Sequence, residues 1–168
     1  MAITLKGVRT LLRYNDAANA LVFEAAKGAS DDSLDQRFPM GRGSLRRTLL
    51  HIWAGEDTWL KRWQGNVETP WPSEREPVAV SQIFEWMHNV KRERDAYIKG
   101  LQEPALDAVQ RYRDSKGELF EALLADMLLQ GCIHSTHHRA QAVNMLRNVD
   151  AGLVELDYMS WVRQPVES

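Results

Sequence analysis

A chain of 168 residues is about the size of one domain and is long enough to bury a sizeable core. Its 21 basic and 23 acidic residues leave a formal charge of -2 with no long block of like charge, which excludes the basic stripe a nucleic-acid surface needs. One cysteine, Cys132, excludes an internal disulfide framework, and no apolar run reaches the roughly 18 residues of a membrane span. The first predicted element runs from about Leu5 to Ala26, where Val8, Leu11, Leu12, Ala18, Leu21, Val22 and Ala25 recur at helical spacing. Lys27 to Ser30 stops it, and the stretch to Gly43 is read as loop because Asp31, Asp32, Pro39, Gly41 and Gly43 are turn or breaker types. Ser44 is a good N-cap for a second helix to about Trp63, with Leu45, Leu49, Ile52, Trp53, Leu60 and Trp63 on one stripe.

From Gly65 to Pro77 the prolines 70, 72 and 77 mark a crossover too long for a tight helix hairpin. A third helix follows from about Ser81 to Lys99. Beyond Pro104, the segment Leu106 to Arg113 reads as a short extended piece that ends in the turn Asp114-Ser115-Lys116-Gly117. The fourth helix spans about Glu118 to Asn148, and Leu156 to Val162 forms a short terminal helical turn. Four principal helices and one long connection between the second and third predict an all-α four-helix bundle, a single domain over residues 1–168. The reducing cysteine usage and the absence of a signal-like N-terminus lead us to expect a cytoplasmic protein. Six Trp, each needing burial or an interface, point to a homodimer.

The chemistry concentrates in His134-Ser135-Thr136-His137-His138-Arg139. Residues four apart on a helix stack on one face, so His134 and His138 can offer two imidazoles to one ion. Both lie on the seam Phe120, Leu124, Met127, Gly131, His134, His138, Ala142 and Met145, where Gly131 and Ala142 leave room beside them. Two satisfied core histidines are the plainer alternative. His137 projects to the flank, and Cys132 reads as a small buried hydrophobe. His51 and His88 are the candidates for a third donor. Periodicity leaves His51 half exposed among Thr48, Gly55 and Thr58. His88 belongs to an E-x-x-H spacing that di-metal carboxylate bundles require twice, and the second copy is missing because Gly131 precedes His134. Zincin, phosphate-loop and serine-elbow motifs are absent.

These residues resemble the DinB/YfiT-like group of four-helix metalloproteins over nearly the whole chain. The resemblance rests on Leu11-Leu12-Arg13-Tyr14-Asn15 with Ala18-Asn19, on Gly43-Ser44-Leu45 leading to Leu49-Leu50-His51-Ile52-Trp53 and Glu56, and on His134 to Gln141. The last is similar to the family's H-x-x-x-H-R-G-Q block, with Ala140 in place of Gly; Leu156-Asp157-Tyr158 and Trp161 resemble its closing segment. The resemblance implies a metal triad of His51, His134 and His138, a zinc or nickel ion, a homodimer, and transfer or isomerisation with a low-molecular-weight thiol.

A cation held by three neutral histidines would stabilise a thiolate in its open position for attack on a small-molecule electrophile. Glu56, on the apolar stripe, is a candidate to accept a ligand N–H. Arg139 is a candidate to orient an anionic substrate, against the plainer reading of a surface or helix-pairing charge. The alternatives are a non-catalytic dimeric helical stress-response module with a structural metal, and a metal-dependent hydrolase.

Overall fold

The first helix, α1 (Leu5–Lys27), begins where the Thr4 hydroxyl accepts the Gly7 N–H and ends at Gly28. The structure, a computed structural model, describes residues 3–74, 78–149 and 151–165. Within the stretch read as loop, Ser30 caps a five-residue helix, α2 (Asp31–Asp35), with Asp31 and Asp32 in its first turn. The aspartates read as breakers are favourable there because they face the positive end of the helix. Helix α3 (Leu45–Trp63) starts at Ser44, whose side chain accepts the Arg47 N–H. Residues 64–74 form no regular element; Pro77, part of the expected crossover, lies outside the described residues. Helix α4 (Val80–Gly100) follows.

The expected extended piece divides into a 3-10 turn at Glu103–Asp107 and a strand, β1 (Val109–Arg113). The fourth long helix starts later than expected. Residues Leu119–Leu123 form β2, antiparallel to β1 with Tyr112 opposite Phe120, and α5 occupies Leu124–Asn148. Gly117, at φ +83°, makes the turn that pairs the strands, so Phe120 stands 43% exposed on a hairpin instead of on a helical seam. The fold is therefore mostly helical with one small sheet. Asp157 caps a terminal helix, α6 (Tyr158–Val162), whose Tyr158 and Trp161 pack on Tyr14.

Helices α3 and α5 form the most extensive contact, α1 packs on α5, α4 packs on α3, and α1 and α4 pack on one another. Two apolar clusters result. One gathers Val22, Phe23, Leu49, Ile52, Ile83 and Met145, and the other Leu12, Trp59, Trp63, Val90, Leu124 and Met127. A buried polar group of Asn15, Asn19, Glu56, Arg94, Ser135 and Arg139 is threaded through the same helices. Among the described residues no helix is long and apolar enough to cross a membrane.

Candidate metal centre

The stripe that α5 turns inward is not quite the one its apolar pattern suggests. Leu124, Leu128, Gly131, Ser135, Arg139, Ala142 and Leu146 are buried, while His134 and His138 sit half-buried on the adjoining face. That face meets α3 at His51, whose side chain is only 12% exposed, less than periodicity suggests. One ring nitrogen from each of His51, His134 and His138 lies within 4.8 Å of the others, a grouping able to hold a metal ion. Ring centroids are separated by 4.3 Å for His51 and His138, 4.6 Å for His134 and His138, and 5.2 Å for His51 and His134. His88 is elsewhere, exposed on α4 with its ring 4.4 Å from that of Phe84.

The room for this convergence comes from Gly55. A Cβ there would stand 2.3 Å from Cε1 and 2.5 Å from Nδ1 of His134. The sequence pattern assigns that role to Gly131 and Ala142 beside His134 and His138, and to Gly55 with Thr48 and Thr58 beside His51, but the space above Gly131 is filled by Trp63, whose Cζ2 would be 2.6 Å from an added Cβ. Ala142 is buried in the first apolar cluster.

Hydrogen bonds orient two of the rings. His51 Nδ1 donates to Glu74 Oε1 at 2.6 Å, and the same carboxylate accepts the Trp71 indole N–H and pairs with Arg42 at 3.1 Å. Burial raises the Glu74 carboxyl, yet the hydrogen bonds from His51 and Trp71 outweigh it and hold the group below its ordinary range. An ionised acceptor on Nδ1 leaves the His51 Nε2 lone pair free. His138 Nδ1 likewise donates to Gln141 Oε1 at 2.8 Å, and Gln141 Nε2 faces His137 Nε2 at 3.0 Å. Gly41, at φ +54°, lets the loop before α3 come against this amide, since a Cβ would lie 2.8 Å from Gln141 Oε1.

The third ring differs. His134 Nδ1 is buried and has no hydrogen-bond partner among the described residues. Burial, then the neighbouring His138 and His51, push its pKa down to about 4, and burial lowers His138 as well. Two neutral imidazoles beside a third are poor neighbours for a proton and good ones for a metal cation, because ligation requires the unprotonated ring. The donor set fits a divalent ion that prefers nitrogen.

Neither of the two supporting residues singled out from the sequence is bonded to the triad. Glu56 accepts from Asn15, Asn19 and Ser135 and pairs with Arg94 at 2.7 Å. Arg139, only 1% exposed and so no surface charge, donates to Asn15, Asn19 and Thr136. The carboxylate that reaches a histidine is Glu74, which sequence reasoning passed over in the irregular crossover. Its only local signal is an acidic residue close to Trp71 among prolines.

A family model described as the DinB family matches residues 1–162. The chain belongs to the DinB family. The resemblance drawn from its helical motifs holds over almost the whole length of this DinB-family chain. Its fold is also similar to the crystal structure of a DinB-like protein from Bacillus cereus ATCC 10987, with a TM-score of 0.69 and 18% identity over 89% of this chain and 95% of that one. No curated protein matches.

Proposed function

We propose that this DinB-family chain is a single four-helix-bundle domain that binds a divalent metal, zinc or nickel, through His51, His134 and His138. The observation that carries the reading is the approach of three ring nitrogens to within 4.8 Å of one another. In this reading the protein is a metal-dependent enzyme that joins a low-molecular-weight thiol to a small electrophile, or isomerises their adduct. A divalent cation bound by neutral imidazoles keeps its positive charge and favours the thiolate form of a thiol beside it.

The chain's own residues do the positioning. Glu74 holds the proton on His51 Nδ1, and Trp71 fixes Glu74 in turn while covering the His51 ring at a centroid distance of 4.9 Å. Gln141 does the same for His138, with His137 behind it. Neutral rings at His134 and His138 leave the site without competing protons near pH 7. The reading also includes a homodimer in the cytoplasm.

Elemental analysis of protein purified without a histidine tag tests the centre. About one zinc or nickel per chain is expected, and His138→Ala should abolish it, because two imidazoles make a far weaker site than three. Full metal retention by His138→Ala would sink the triad. Activity that needs no added thiol would favour hydrolysis by the same centre. A metal that neither exchanges nor responds to exogenous thiol would favour the structural alternative.

A further inference from the structure

Beyond Trp71 lies a cavity of about 490 Å³, lined among others by Trp59, Arg62, Tyr112, Asp126 and Gln130. Trp71 lines it too, with its other side on His51. On α5, Asp126 and Gln130 precede His134 at four-residue steps, so the cavity and the histidines share one helical face.

Arg62 is unusual there. It is 6% exposed, and its guanidinium carbon lies 4.9 Å from the Trp59 ring centre and 4.8 Å from that of Tyr112. Among the described residues it forms no ion pair. Nη2 donates to the Arg113 carbonyl at 2.7 Å, and Nε is buried without a partner. That leaves Nη1 for the cavity. A buried cation that no carboxylate contacts directly is costly even with Asp114 acting on it from the same cavity, and an anion delivered by a ligand offsets the cost.

Arg62 follows His51 by eleven residues, roughly 16 Å along the helix axis. Helical side chains lean towards the N-terminus, so its guanidinium turns back over Trp59, towards the histidine end of the helix. We infer that the cavity seats the tail of an elongated ligand whose reacting end lies at His51, His134 and His138 and whose far end is a carboxylate held by Arg62. Asp114 and Asp126 line the same cavity as this one guanidinium, so a single negative charge suits it better than a phosphate dianion. The aromatic walls fit an apolar or planar connecting segment. This inference rests on the metal reading above for the position of the reacting end only.

The test uses the full chain and ω-mercaptooctanoate, ω-mercaptooctanol and octanoate as probes. In the cobalt-loaded protein, followed by the cobalt absorption spectrum, the thiol acid should bind about tenfold more tightly than the thiol alcohol, the scale of a charge-assisted hydrogen bond. Arg62→Met should remove that preference and leave the alcohol unchanged. In metal-free protein, calorimetry should detect octanoate binding that Arg62→Met abolishes. Equal affinities for the acid and the alcohol, or octanoate binding that survives in Arg62→Met, would overturn the inference.

If cobalt does not bind, or thiols leave its spectrum unchanged, the metal reading fails and the octanoate titration alone decides the role of Arg62. Should Arg62→Met not fold, Asp114→Asn carries the test. It keeps the turn acceptor but removes a charge near Arg62, and octanoate should bind about threefold more tightly. Unchanged affinity counts against the inference, as does octylphosphate binding better than octanoate.

Discussion

Helices α3 and α5 bury polar side chains in two places, and the two are built differently. The group around Glu56 pairs its charges within itself: Arg94, Asn15, Asn19 and Ser135 all reach the carboxylate, Arg139 binds the amide oxygens of both asparagines, and Arg94 Nε is the one buried side-chain atom of the group left without a partner among the described residues. The histidine rings make no hydrogen bond to one another: His134 Nδ1 is left without a partner among the described residues, while His51 and His138 are each oriented from outside. A buried network whose charges are paired internally specifies one arrangement of the helices. Three imidazoles gathered without bonds to one another, with the pKa values of His134 and His138 lowered, form a grouping that could hold a metal ion. The contrast separates a charge-paired polar core from a candidate metal centre by burial and hydrogen bonds.

The largest effect should come from breaking the charge-paired group. Glu56→Ala leaves Arg94 buried with one partner fewer and should cost about 3–5 kcal/mol of stability by urea unfolding. A cost below about 1 kcal/mol would mean that the network is less tightly paired than it looks. The histidine group should respond in the opposite way, losing metal before stability. Gly55→Ala forces a methyl group against His134, so metal binding should be lost with an overpacking cost of about 1–3 kcal/mol, read by titration and thermal unfolding. Glu74→Gln should weaken metal binding by about 10–100-fold while leaving the unfolding midpoint of the metal-free protein near wild type.

The smallest and most discriminating effect is in pH. In metal-free protein the His134 pKa falls from its ordinary 6.5 to about 4, so the unfolded chain takes up a proton first and stability drops as pH falls from 6.5 towards 4. For Glu56, burial works upwards, but the charge of Arg94 and hydrogen bonds from Ser135 and Asn15 leave its carboxyl below its ordinary 4.5. Its contribution is therefore complete above 4.5 and is lost as pH falls through the lower folded value. Urea midpoints measured against pH should show both windows. His134→Ala should shrink the upper one to the part that His138 contributes and spare the lower.

The helical order was largely legible from the chain. Ser44 marks the start of α3 as a cap, and α1 ends at Lys27, one residue past its apolar pattern, because Gly28 follows. The hairpin was not. Leu119 to Leu123 carries the same apolar types as the start of α5, and pairing with β1 decides its state. At the centre, the spacing of His134 and His138 pointed to a shared face, whereas His51 was singled out by family resemblance, since its own stripe left it half exposed. For Arg139 the sequence left a surface and a helix-pairing charge open, because a charge is usually solvated and its burial depends on asparagines on another helix that accept from it.

Local rules reach as far as a helix face: capping, breaking and the three-to-four-residue repeat act within one segment, so the positions of the long helices and the pairing of two imidazoles are written in the chain itself. Which face meets which neighbour depends on packing between segments far apart in sequence. The absent side chain at Gly55, the Trp63 ring over Gly131 and the reach of Glu74 back to His51 are properties of that packing. Those contacts, made across the gaps between elements, turn a pair of stacked rings into a three-sided site.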